Sequence, residues 1–201
     1  MPARAGAWLG GDVSAIDVGD EELVSRVQGG DAAAFAALVE RYTRMVYRTA
    51  YRLLGSAEEA EDAAQEAFVR AYVKLGSYRE DTSFRAWLLA ITTNRCIDRY
   101  RTRAQQARRT LRLGAWLDWH DADDAHTRPE ATALDRERRR LVRRWVAALP
   151  ASHRQVVALR YFDELSYAEI AAALGQTSAA VKMRLHRARK LLRQAGHPEQ
   201  G

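Results

Sequence analysis

The chain has a single cysteine, Cys96, in 201 residues. On that count no intramolecular disulfide and no cysteine zinc cluster can form, and a lone thiol in an apolar helical stretch reads as buried and inert. Long apolar runs are also missing. No stretch approaches the roughly 20 residues of a membrane-spanning helix, and the N-terminus carries nothing patterned like a signal peptide. The expectation is a soluble protein of a reducing compartment, the cytoplasm, with no direct membrane insertion. No segment shows the strict alternation of a half-buried strand. The histidines show no metal spacing and no triad partners: His120 and His126 lie in a polar, irregular stretch, and His153, His186 and His197 are scattered. With no catalytic constellation, the chain is expected to have no catalytic residues, metal, cofactor or small-molecule substrate. Lysine is scarce, limited to Lys74, Lys182 and Lys190, so arginine carries the positive charge.

What is present is helical pattern and clustered cation. The chain is 47% hydrophobic, enough for one sizeable core or two small ones. The formal net charge of +6 favours a polyanionic partner if it clusters. It does cluster: Arg95, Arg99, Arg101, Arg103, Arg108, Arg109 and Arg112 crowd one stretch, interrupted by Asp98, and a second basic group lies between Lys182 and Arg193.

Punctuation residues divide the chain. Residues 1–19 are small, Gly-rich and aperiodic, and read as a disordered leader. From 20 to 103 the pattern is helical. Leu23, Val24 and Val27 mark a short helix closed by Gly29-Gly30. Asp31 caps a longer one that Gly55 ends, and Ser56 opens a third that runs to Gly76. A polar loop, Gly76 to Ser83, precedes a fourth helix from Phe84 to about Arg103, in which Phe84, Leu88 and Ile91 point one way. Trp87, Ala90, Asn94, Ile97 and Arg101 form an adjoining stripe, read as partly exposed and base-facing. Residues 104–133 lose periodicity and turn acidic, with Asp118, Asp121, Asp123, Asp124 and Glu130; this is a flexible linker whose Trp116 and Trp119 suit docking. Helical pattern returns over 134–195, with a short tail at 196–201. The expected fold is all-α, two small helical domains.

The most informative segment lies in the second domain. Ser166 and Glu169 form an S-x-x-E capping box. Gly175 is placed to end that helix in the left-handed conformation, and a new start follows at Thr177 or Ser178. Val181, Leu185, Ala188 and Leu192 then make one apolar stripe, opposite a face of Lys182, Met183, His186, Arg187 and Lys190. This is a helix-turn-helix with a basic second helix, which the DNA major groove admits. A helix-turn-helix alone is also compatible with a free operator-binding regulator. Such a regulator usually needs a dimer interface, and no coiled-coil heptads occur.

Three segments, in order, resemble the bacterial group-four, or extracytoplasmic-function, sigma factors over about residues 20 to 195. Asp62-Ala-Ala-Gln65-Glu66-Ala-Phe68-Val-Arg70-Ala-Tyr72 is similar to the D-x-x-Q-E-x-F-x-R-A-[WY] segment that grips core RNA polymerase. Phe84-Arg-Ala-Trp87-Leu-Leu-Ala-Ile91-Thr-Thr-Asn94-Arg95 resembles the helix that melts and reads the −10 element. The stretch from Leu149-Pro150 through Arg187-Ala-Arg189 resembles the −35 module. The resemblance implies a sigma-2-like four-helix domain and a sigma-4-like helix-turn-helix domain, in a protein that binds core polymerase and directs promoter-specific initiation. It assigns polymerase binding to Asp62, Gln65 and Glu66. It assigns −10 contacts to Trp87, Asn94 and Arg101 with Tyr78 and Arg79 of the loop, and −35 contacts to Lys182, Met183, His186, Arg187 and Lys190. Implied partners are core RNA polymerase, promoter DNA and an anti-sigma factor; in holoenzyme the protein would associate with the nucleoid. The chain departs from the pattern at Ala179-Ala180, where many relatives have Gly-Thr, and at Met183, where a small polar residue is frequent.

Overall fold

The computed structural model describes residues 18–110 and 133–196. The leader, the acidic part of the linker with its tryptophans, and the tail lie outside the described residues. Among the described residues every regular element is helical: α1 (Asp20–Gln28), α2 (Ala32–Leu54), α3 (Ala57–Lys74), α4 (Phe84–Thr110), α5 (Ala133–Ala148), α6 (Ala151–Val157), α7 (Tyr167–Leu174) and α8 (Ser178–Gly196). None is long and apolar enough to cross a membrane.

Local chemistry sets the boundaries. The Asp31 carboxylate accepts from the Ala33 and Ala34 amides at the start of α2, and Gly55 ends that helix in the left-handed region at φ 75°. Ser56 Oγ accepts from the Glu59 amide, and Ser83 Oγ from the Ala86 amide, so α3 and α4 each start on a serine cap. Two expectations need adjusting. Helix α4 runs on to Thr110 rather than stopping near Arg103, since nothing there breaks it: the added turns are rich in good helix formers such as Arg, Gln and Ala. The continuous helical pattern expected over 134–195 is interrupted: the helix that starts at Ala151 is α-helical only to Val157 and then widens into a π-turn, Ala158–Phe162. That turn is followed by Glu164 at φ 60°, a left-handed conformation unusual for a residue with a side chain.

The first core forms where α1, α2, α3 and α4 meet. Leu23, Leu38, Val46, Phe68, Phe84 and Leu88 are buried there, and alanines 60, 63, 64, 67 and 71 let α3 approach closely. The second core gathers Val146, Leu149, Val156, Leu159, Leu165, Ile170, Val181 and Leu185 from α5 to α8. The two are in contact. Ala86 and Leu89 of α4 belong to the second cluster, while Ala158 of the π-turn packs with Ala50, Leu53 and Cys96 of the first half.

Polar groups cross this junction. Thr49 Oγ1 is 2.5 Å from Asp163 Oδ1. Arg52 donates to the Phe162 carbonyl (2.8 Å) and Arg85 to the Asp163 carbonyl (2.7 Å). Gln155 Nε2 donates to Asn94 Oδ1 (2.7 Å), and the Arg154 guanidinium lies 3.8 Å from the centre of the Tyr100 ring. Asp163 is only 5% exposed, and its Oδ2 has no hydrogen-bond partner. Burial pushes its carboxyl up to about 6, against the opposing pull of the Thr49 hydrogen bond and of Arg52, Arg85 and Arg48.

A pH dependence follows. The folded chain holds the Asp163 proton more tightly than the unfolded chain. The stability this gives is complete below the ordinary aspartate value of 3.8 and is lost as pH rises through about 6. Asp163→Asn should flatten that stretch of a plot of Tm against pH and raise Tm near neutral pH, an effect of up to about 3 kcal/mol. Circular-dichroism melts at stepped pH check this; an unchanged profile would mean that Asp163 carries no such proton.

Candidate nucleic-acid and polymerase interfaces

The basic face is built on the turn before it. Ser166 donates its amide to Glu169 Oε2 (2.8 Å) and its Oγ accepts from the Glu169 amide (3.1 Å), completing the capping box of α7. Gly175 follows at φ 61°. Thr177 is the cap of α8: its Oγ1 accepts from the Ala180 amide at 3.2 Å. Val181, Leu185 and Ala188 are buried, which turns Lys182, Met183, His186, Arg187 and Lys190 outward, all exposed. The Lys182 ammonium and the Arg160 guanidinium lie 5.8 and 5.2 Å from the centre of the Tyr167 ring. His153 of α6 lies beside this face. Partial burial and the Arg187 and Arg184 cations hold its imidazole below the usual histidine range. The face can offer ammonium and guanidinium donors to phosphates and base edges, and at Met183, 52% exposed, an apolar surface with no donor.

The α4 stripe is only partly open. Ala90 and Ile97, expected to be partly exposed on it, are buried; they sit where the stripe turns toward the packed side of the helix. Trp87 is half-buried against Tyr78 and Phe84, with ring centres 5.3 and 5.7 Å away. Asn94 and Arg101 are exposed, with Asn94 engaged by Gln155 and Arg101 3.9 Å from Asp98. In the loop, Tyr78 is buried, its hydroxyl donating to the Thr82 carbonyl (2.6 Å), whereas Arg79 is exposed. Tyr78 therefore holds the loop against α4 from inside, and Arg79 is the side chain of this pair that faces outward.

On α3, Asp62 and Gln65 are exposed, but Glu66 joins two helices. It pairs with Arg95, and with Arg99 at 2.5 Å; Asp62 lies 3.4 Å from the same Arg99. These cations hold the Glu66 carboxyl below the usual carboxylate range. Beyond this ridge, Val69, Tyr72 and Val73 are exposed, Val73 to 77%. Sequence reasoning had Tyr72 as the aromatic end of the polymerase-gripping segment but did not single out Val69 and Val73 beside it as an apolar patch. Its signal was present: the three residues recur at helical spacing away from the alanines that face the core.

Comparison with known proteins identifies the family. Residues 38–106 match the family profile of Sigma-70 region 2, and residues 139–192 that of Sigma-70, region 4. The chain is 36% identical over 188 residues to the ECF RNA polymerase sigma factor SigW of Bacillus subtilis, covering 86% of this chain and 94% of that protein. It is 33% identical over 182 residues to the RNA polymerase sigma-H factor of Pseudomonas aeruginosa (89% and 94% covered), and 35% identical over 181 residues to the ECF RNA polymerase sigma-E factor of Escherichia coli (86% and 92%). Among solved structures it resembles CnrH in complex with the cytosolic domain of CnrY, with TM-score 0.62, 25% identity and 90% and 99% covered. The chain belongs to the extracytoplasmic-function sigma factors of RNA polymerase, proteins that direct transcription to promoters. The free operator-binding regulator is not favoured.

The Glu66 pairs can be tested directly. Their stabilisation is complete above the ordinary glutamate value of 4.5 and is lost as pH falls through the lowered folded value. Because Glu66 keeps 39% of its side-chain surface exposed, solvent screens the pairs and Glu66→Gln should cost under about 1 kcal/mol in urea unfolding at neutral pH. It should also shrink the loss of stability on acidification. A loss well above that figure would make Glu66 a buried structural charge.

Proposed function

We infer that residues 20–103 and 134–195 divide the work of promoter recognition, with 104–133 linking them and 1–19 and 196–201 as terminal extensions. In this reading α8 enters the major groove of the −35 element through Lys182, Met183, His186, Arg187 and Lys190. The observation that carries it is the uniformly exposed, acid-free face these five residues form on a helix fixed by the Ser166–Glu169 box and the Thr177 cap. Trp87, Asn94 and Arg101, with Arg79 at the loop, take the −10 strand. The half-buried indole offers a stacking edge, and the amide and guanidinium offer donors for base edges and phosphate; Tyr78 supports the indole. Asp62, Gln65 and Glu66, continued by the apolar Val69, Tyr72 and Val73, form the surface for core polymerase. An anti-sigma factor would find on the same patch the exposed apolar area that a protein partner covers. The protein works in the cytoplasm and joins the nucleoid as part of holoenzyme.

The deciding experiment is transcription in vitro with core polymerase on a genomic template library. Asp62→Arg, a change at a side chain 57% exposed, should abolish association with core polymerase while shifting stability by less than about 0.5 kcal/mol. Lys182→Ala and Arg187→Ala should each weaken promoter binding by holoenzyme by about 1–3 kcal/mol. Trp87→Ala and Asn94→Ala should leave holoenzyme bound but impair opening, measured by permanganate reactivity of unpaired thymines. Wild-type transcription by all of these variants would overturn the residue assignment.

A further inference from the structure

The outward face of α8 has an apolar centre that attraction to phosphate does not explain. Val181, Leu185 and Ala188 are buried. At about 100° per residue, Met183 falls opposite that stripe, so it stands out furthest from the body of the domain. It is 52% exposed. One turn back on the same side lie Ala179, exposed, and Ala180, half-buried. The three form a short strip without a side-chain donor at the start of the helix, directly after the Thr177 cap. Lys182, His186, Arg187 and Lys190 surround it, and α8 carries no acidic residue. These three positions are also where the chain departs from the family pattern.

The strip is too small for a protein partner. A stable protein interface covers about 800 Å² on each side, and one methionine with two alanines inside a ring of cations offers a small part of that. Its size suits the edge of a base pair. In the major groove guanine, adenine and cytosine present donors and acceptors, and the one apolar group on any base edge is the C5 methyl of thymine. A thioether pressed against N7, O6 or an exocyclic amine would displace water and return no hydrogen bond. Against a methyl, the same approach removes apolar surface from water on both sides. The thymine O4 beside that methyl needs a donor, and the Arg187 guanidinium lies one helical turn from Met183 to supply it.

We propose that Met183, backed by Ala179, is a specificity-determining residue that selects a T·A pair in the −35 element through the thymine C5 methyl. The proposal rests on the reading of α8 as the −35 helix and names what the centre of that helix recognises. The surrounding cations hold any duplex, because phosphate contacts carry no sequence information. Met183 decides which base pair lies beneath them. Its effect is on discrimination more than on total affinity.

The test uses holoenzyme assembled from the full chain and core polymerase, on a promoter that it transcribes from the genomic template library. Thymines on either strand of the −35 element are replaced singly by deoxyuridine, which removes the methyl and keeps every donor and acceptor. At one or two positions this should weaken binding by the wild-type holoenzyme about fourfold, as expected for one buried methyl-sized group. Met183→Ser holoenzyme should bind the thymine and deoxyuridine promoters equally, and Met183→Leu should keep the difference. In selection from duplexes randomised at a sensitive position, the wild type should enrich T·A and Met183→Ser should not. A −35 element with no methyl-sensitive thymine, or sensitivity that persists in Met183→Ser, would overturn the proposal. Failure of the underlying reading looks different: Lys182→Ala and Arg187→Ala would then also leave promoter binding unchanged, and no base change in the −35 element would matter.

Discussion

Burial of Phe84 and Leu88 against α2 and α3 fixes the rotation of α4, and most of the molecule's arrangement follows from that angle. At about 100° per residue, inward Phe84 and Leu88 carry Arg95 and Arg99 toward α3, where Glu66 receives both. The same rotation sends Ala86, Leu89, Thr93 and Tyr100 to the far flank, which the second module covers, and leaves Trp87, Asn94 and Arg101 on the strip between. One helix thus has a core face, a module-facing flank and an exposed strip. The small side chains on the flank, Ala86 and Thr93, let α6 and α7 approach closely, and Leu89 is buried among the second core.

The helices were legible because their ends carry local chemistry. Asp31, Ser56, Ser83 and Ser166 cap where their sequence contexts place them, and Gly55 and Gly175 take the left-handed conformation. The outward set on α8 was legible for the same reason: Val181, Leu185 and Ala188 fix its inner face by period alone. What the chain did not disclose is tertiary. The π-turn has no compositional mark, since Ala-Leu-Arg-Tyr-Phe continues a helical pattern, and it is supported by arginines more than seventy positions away. The burial of Ala90 and Ile97 depends on packing around α4, which a one-helix projection cannot give, and Tyr78 looks like a loop residue until Phe84 and Trp87 close over it.

Polar groups at the junction are unequal in kind. The arginine–carbonyl bonds satisfy acceptors that a regular helix end would leave to water. Gln155 and Arg154 are buried and engage Asn94 and Tyr100. Inter-domain contacts that mix small apolar and polar groups resemble transient protein interfaces more than cores, in contrast to the continuous apolar packing within each half.

Cys96 packs among Ala50, Leu53, Leu54, Ala60, Ala63 and Ala158, and burial pushes its thiol up to about 12. At pH 7 almost none of it is then thiolate, and the thiolate is the nucleophile that attacks peroxides and disulfides. As the chain's sole sulfhydryl, it gives the folded protein almost no thiol chemistry with which to register an oxidant. An oxidative signal that works through thiol–disulfide exchange therefore has to be sensed by another molecule and delivered to this one as binding or release.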